Sequence, residues 1–253
     1  MKSLDKKTVF ITGASSGIGE ACAHAFAREG SMLILAARRG DKLKDLQKEL
    51  ADLYDAEVEI IVLDVTDKDS VFEKLADIGP VDVLINNAGL ALGSEKLHEM
   101  ETTYYDQMID TNIKGLLYVT KVLVPKMADM GTGDIINIGS IAGHEVYAGG
   151  AVYCATKYAV DALTQGLRID LVDTALRVSS IDPGAVQTEF SKVRFNGDQK
   201  KADKVYEGFS PLQGEDIAEI AVFIASRPAH VQIADVIVLA TAQAGAKLIS
   251  RKN

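Results

Sequence analysis

Short, near-continuous apolar runs alternate along this chain with longer stretches whose apolar residues recur every three or four positions. The runs at 8–12, 32–36, 58–63, 81–86, 134–138, 177–181 and 236–240 predict β-strands. Continuous apolarity is what a strand needs when both of its faces are covered. Within 17–29, Ile18, Ala21, Cys22, Ala25 and Phe26 form one helical stripe, and 41–53, 67–76, 101–129, 151–173 and 214–226 also read as helices. This α/β alternation predicts a parallel sheet between two helix layers. Its crossovers should be right-handed, with a ligand beyond the carboxyl ends of the strands.

One segment breaks the alternation. Residues 187–213 are polar, contain no strong strand and follow Asp182-Pro183-Gly184 at the end of a predicted strand. A connection of that length suits a substrate lid, with a plain surface excursion as the alternative. No linker, repeat or low-complexity stretch divides the chain, so residues 1–253 read as one domain.

Composition narrows the class. A hydrophobic fraction of 47% with only five prolines is that of a compact globular chain, and 253 residues suffice for a large core. The net charge of -9 offers no general attraction to nucleic acid or anionic membrane. Two cysteines, Cys22 and Cys154, make neither a disulfide framework nor a zinc site and point to a reducing, cytoplasmic setting. The stretch Met1-Lys2-Ser3-Leu4-Asp5-Lys6-Lys7 has no signal-peptide character, and no apolar run is long enough to span a bilayer. His24, His98, His144 and His230 are not spaced as metal ligands, so no metal is expected.

Three places carry chemistry. The first predicted strand runs into Gly13-Ala14-Ser15-Ser16-Gly17-Ile18-Gly19 and then a helix. Glycines permit a tight turn and close approach of the backbone, and a helix N-terminus favours a pyrophosphate. At the end of the second strand stand Arg38 and Arg39, where an acidic residue would bond the ribose 2′-hydroxyl of NAD. Guanidinium groups suit a 2′-phosphate, hence NADP, with Arg38 first and Arg39 supporting; a solvated basic pair is the alternative. Tyr153 and Lys157 are four residues apart, one above the other on a helix. A nearby ammonium would lower the tyrosine pKa, and moving it from about 10 to about 7 needs roughly 4 kcal/mol.

Taken in order, Gly13-x3-Gly17-x-Gly19, Asp64-Val65, Asn86-Asn87-Ala88-Gly89, Asn112, Ser140, Tyr153-x3-Lys157 and Pro183-Gly184 resemble the short-chain dehydrogenase/reductase family over nearly the whole chain. The resemblance implies a Rossmann-type, doubly wound, mainly seven-stranded parallel sheet in the order 3-2-1-4-5-6-7. It implies Tyr153 as acid/base, Ser140 as donor to the substrate oxygen, Lys157 as tuner of Tyr153 and holder of the nicotinamide ribose, and Asn112 as the seat of a proton-relay water. It further implies cofactor contacts from Gly13, Ser15, Ser16, Gly17, Ile18, Gly19, Asp64, Val65, Asn86, Ala88, Gly89, Pro183, Gly184, Val186 and Thr188. Segments such as Asn87-Ala88-Gly89-Leu90-Ala91-Leu92-Gly93 and Glu189-Phe190-Ser191 resemble the branch of NADP-dependent 3-hydroxy acid dehydrogenases acting on serine and allo-threonine. Arg194 in the lid is the candidate clamp for a substrate carboxylate, with Lys192 and the backbone near Gly149-Gly150 behind it. The expected partner is a small-molecule substrate, and the expected assembly is a homotetramer. The alternatives are a reductase of uncharged ketones, polyols or sugar alcohols, and a non-catalytic NADP sensor. After the last strand the chain reads Leu239-Ala240-Thr241-Ala242-Gln243-Ala244-Gly245, where many relatives carry a Gly-Gly pair, so their C-terminal contacts do not transfer.

Overall fold

A computed structural model describes residues 4–252; the start of the stretch read for a signal peptide, residues 1–3, lies outside the described residues. Strands β1 (Thr8–Thr12), β2 (Met32–Ala37), β3 (Val58–Val62), β4 (Val83–Asn86), β5 (Gly133–Ile138), β6 (Leu176–Pro183) and β7 (Asp235–Val238) form one sheet. Every neighbouring pair is parallel and the order is β3-β2-β1-β4-β5-β6-β7, as expected. Around it lie α1 (Gly17–Arg28), α2 (Gly40–Tyr54), α3 (Lys68–Ala76), α4 (Thr102–Ile109), α5 (Leu116–Met130), α6 (Ala151–Asp170), α7 (Phe190–Arg194), α8 (Gln199–Lys204) and α9 (Gly214–Ala225).

Alternation of side chains along each strand divides the core in two. Val9, Ile11, Leu33, Leu35, Val83 and Ile85 face a cluster with Phe26 of α1, Leu43 and Leu50 of α2 and Ile217 and Ile224 of α9. Phe10, Ile34, Leu84 and Ile135 face the other way, onto Val71 and Leu75 of α3 and Val119, Leu123 and Met127 of α5. All of β5 and β6 is buried, including the polar Asp134, Asn137, Arg177, Ser179, Ser180 and Asp182. The carboxyl ends of β1, β2, β4, β5 and β6 thus converge on one rim.

The structure departs from the predicted elements in two instructive places. The single helix expected over 101–129 is broken by a π-helical turn, Asp110–Gly115, between α4 and α5. The wider turn lets Asn112 face inward, and a Cβ on Gly115 would come within 2.6 Å of Val65 Cγ2. The segment 187–213 contains α7 and α8, and an isolated parallel bridge, Val186 to Leu212, closes its base. No helix among the described residues is long and apolar enough to cross a membrane.

Candidate active site

A cavity of about 340 Å³ opens along the carboxyl rim of the sheet. Its floor begins at the β1–α1 turn, where Gly13 and Gly17 take φ of +66° and +61°. Ser15, Ser16 and Ile18 line the wall beside them. Side chains larger than hydrogen would fill the turn: a Cβ on Gly13 would lie 2.8 Å from Asn87 Nδ2. The turn is braced from β4, where Asn87 Nδ2 donates to Thr12 O at 2.9 Å and Thr12 Oγ1 accepts from the Asn87 N–H at 2.9 Å. The result is a rigid cradle of backbone at a helix N-terminus, which fits a diphosphate.

Gly19, expected at the cofactor, is absent from the cavity wall. Its missing side chain serves packing, because a Cβ there would meet Gly13 O at 2.5 Å. Asn86 needs a similar correction. Adjacent strand residues point to opposite faces, and Asn86 turns under the sheet to donate to Asn137 Oδ1 at 2.9 Å, while Asn87, Ala88 and Gly89 reach the wall. Asp64 and Val65 line the cavity beyond β3. One Asp64 oxygen, Oδ1, is occupied by the N–H and hydroxyl of Thr66 at 3.0 and 2.8 Å.

Arg38 and Arg39 both line the cavity but divide their work. Arg39 is wired into the cradle, donating to Ser15 Oγ at 3.1 Å and Ser16 Oγ at 2.5 Å, and it pairs with Glu189 of the lid at 2.7 Å. The exposed Arg38 guanidinium bonds no described side chain or carbonyl. The expected order of the two is therefore reversed for contact with the loop, while Arg38 stands open to a ligand.

At the far end of the cavity Ser140, Tyr153 and Lys157 come together. Ser140 follows β5 and caps a short 3-10 turn, its hydroxyl accepting from Ala142 N at 3.1 Å. Tyr153 and Lys157 share the inner face of α6, both buried, beside Ser140. Lys157 Nζ donates to Ile138 O at 2.8 Å. Burial pushes the Lys157 ammonium down to about 8, with Asp182 pulling the other way. Burial also drives the Tyr153 phenol upward, reinforced by neighbouring Tyr147 and opposed by the Ser140 hydroxyl. This is opposite to the lowering expected from Lys157, with desolvation the largest cause. The upward shift favours the neutral form of Tyr153.

Asn112 sits beside this group without lining the cavity. Its Nδ2 donates to Leu90 O at 2.8 Å and Thr156 Oγ1 at 3.0 Å, and its Oδ1 accepts from Leu90 N at 2.8 Å. Its side chain ties the π-turn to the loop after β4 and to α6.

Two groups here escaped the sequence reading. Asp182, seen only as the end of a strand, is a buried carboxylate directly behind Ser140. Its Oδ1 accepts from Ser140 N at 3.1 Å and Ser180 Oγ at 2.8 Å, and its Oδ2 lies 3.1 Å from His144 Nε2. Burial raises the Asp182 carboxyl, against Ser180, His144 and Lys157, which lower it. Gln243, in the stretch that lacks the glycine pair, accepts from Ala185 N at 2.9 Å and thereby braces the loop Pro183, Gly184 and Val186 that lines the cavity.

The segment 187–213 walls this end. Phe190 packs on Tyr153 with ring centroids 5.6 Å apart, and Thr188 and Val193 also line the cavity. Arg194 does not. Its guanidinium is spent on Gly93 O at 3.1 Å, Tyr147 Oη at 2.8 Å and Gly149 O at 3.0 Å. The expected direct carboxylate clamp is therefore corrected to a strut that fastens the lid to two loops. The Gly149 carbonyl, a weaker candidate, is held by the same strut.

The sequence profile of the short chain dehydrogenase family matches residues 7–199. An NADP-dependent 3-hydroxy acid dehydrogenase from Schizosaccharomyces pombe is 46% identical over 258 residues, covering 100% of both chains. A protein of the same name from Escherichia coli K12 is 45% identical over 231 residues, covering 89% of this chain and 91% of its own. Among solved structures, the closed form of a serine dehydrogenase complexed with NADP+ superposes with a TM-score of 0.91 at 41% identity, covering 97% of this chain and 100% of that one.

Proposed function

The chain belongs to the short chain dehydrogenase family, and on that footing we propose that it is an NADP-dependent oxidoreductase interconverting a 3-hydroxy acid and its 3-oxo acid. The observation that carries the reading is spatial. One continuous cavity has a glycine cradle with two arginines at one end and Ser140, Tyr153 and Lys157 at the other. The residues fit a 2′-phosphorylated dinucleotide, since Arg38 is open at the rim and no carboxylate from β2 stands against it. Gly13, Ser15, Ser16, Gly17 and Ile18 would hold the diphosphate, Asp64 and Val65 the adenine, and Lys157, Pro183, Gly184, Val186 and Thr188 the nicotinamide half. When bound, the cofactor supplies the hydride acceptor or donor.

The chain's own residues manage the proton and the geometry. In oxidation Tyr153 Oη, as the phenolate, takes the substrate hydroxyl proton and becomes the phenol as a hydride leaves the same carbon. In reduction Tyr153, as the phenol, gives the proton to the carbonyl oxygen and is left as the phenolate. Ser140 donates to that oxygen while negative charge develops on it. Lys157, charged below about 8, stabilises the phenolate that oxidation starts from and reduction leaves behind. Phe190 covers Tyr153 and limits water at the reacting centre.

Substrate class rests on the relatives and on the surroundings of Tyr147. This tyrosine packs in the cluster around Tyr153, receives a hydrogen bond from Arg194, and has Lys247 Nζ 4.6 Å from its ring centroid. Arg194 then acts on a carboxylate through Tyr147 rather than by touching it. Turnover with NADP+ should favour serine, allo-threonine, 3-hydroxyisobutyrate and 3-hydroxypropionate over polyols by about a hundredfold or more in kcat/KM. Equal or better use of polyols would overturn the acid reading and leave the uncharged-alcohol enzyme. The exposed apolar residues Leu117, Tyr158 and Ile237 are consistent with a homotetramer.

A further inference from the structure

Glu189 opens the lid, immediately before α7, and lines the cavity beside Ser15, Ser16 and Arg38. Its Oε2 accepts from Arg39 Nη1 at 2.7 Å and its Oε1 from Lys42 Nζ at 2.9 Å. Those two cations hold the carboxyl down to about 2, so it is an anion throughout the neutral range. The remaining nitrogens of Arg39 grip Ser15 and Ser16. One arginine therefore joins the phosphate loop to the lid, and its counter-charge is a lid carboxylate.

We propose that Glu189 is a cofactor-specificity residue, an internal stand-in for the 2′-phosphate that the phosphate displaces from Arg39 and Lys42. The inference rests on the NADP reading above. A phosphate monoester brings a charge of about -1.5 to -2 and three acceptor oxygens, against one charge and two oxygens for the carboxylate. It can engage Arg39, Lys42 and the open Arg38 together. The pair it replaces is half exposed, with side-chain accessibilities of 43%, 44% and 48% for Arg39, Glu189 and Lys42, so solvent compensates its loss. A ribose with a 2′-hydroxyl carries no competing charge and leaves Glu189 in place. The displaced carboxylate is repelled by the phosphate and moves with the start of the lid. Phe190, the next residue, rests on Tyr153, so occupancy of the phosphate corner is felt at the acid/base.

Titration of the full chain with NADPH and NADH, without substrate and followed by nicotinamide fluorescence, tests this. Glu189→Gln removes the charge and should tighten NADPH binding by about three- to fivefold while changing NADH by less than about twofold. Glu189→Ala should give the same gain. In an Arg39→Gln/Lys42→Gln background the gain should vanish. An unchanged NADPH-to-NADH ratio in Glu189→Gln would overturn the proposal, as would parallel weakening of both cofactors, which marks a ribose ligand. Wild-type protein that binds NADH as well as NADPH would instead remove the NADP reading, and this inference with it.

Discussion

At the amino edge of the sheet, Asp134 of β5 meets Arg177 of β6 at 2.5 Å, both buried. The same guanidinium donates to the carbonyls of Ala225, Arg227, Pro228 and Val231. At the carboxyl edge of the same strand β6, Asp182 is equally buried but has no arginine. Its neighbours are two serines, an imidazole 3.1 Å away and the Lys157 ammonium. The first aspartate is closed off by a permanently charged fork and locks the turn after α9. The second is surrounded by groups that can exchange protons, and it touches Ser140. Parallel topology sends loops of one kind to each edge, so a single strand anchors the fold at its start and serves the site at its end.

Three substitutions would break or sharpen that contrast. The largest effect belongs to the carboxyl edge: Tyr153→Phe should reduce turnover by about 10³-fold while NADPH affinity and melting temperature hold. Turnover retained within tenfold would remove Tyr153 from the chemistry. At the amino edge, Arg177→Leu should cost about 3–5 kcal/mol in denaturant unfolding, because it strands a buried carboxylate. Its kcat per folded molecule should match wild type, and a selective loss of kcat would erase the distinction between the edges. The smallest effect is that of Asp182→Asn. With its negative charge gone, Lys157 should lose its proton below its present value of about 8. The alkaline limb of the kcat profile should accordingly move down by about one pH unit. An unmoved limb with lowered stability would make Asp182 a second structural anchor like Asp134.

The sheet was legible because its central strands announce themselves through burial on both faces, while the edge strands β3 and β7 are partly exposed, and its order came with the family motifs. The glycine turn and the Tyr153–Lys157 spacing were legible because backbone freedom and helical pitch are local properties. What was hidden depends on partners far apart in sequence. Nothing near Arg39 or Glu189 signals that residues 150 positions apart will pair. Arg194 read as a free cation because Gly93, Tyr147 and Gly149 reach it only in three dimensions. The burial that raises Tyr153 is hidden for a related reason, since desolvation is set by the whole packed neighbourhood. Asn86 and Asn87 could have been separated from sequence, because strand alternation puts only one of two neighbours on the cavity side.

The π-turn at Asp110–Gly115 makes this chain length-sensitive at one spot. A regular helix advances about 100° per residue. Removing one residue would let α4 and α5 fuse into a single α-helix and swing Asn112 about a quarter-turn away from Leu90 and Thr156. Insertions and deletions that surface loops elsewhere would absorb are thus barred within these six positions. The placement of Asn112 therefore depends on the count of residues there as well as on their identities.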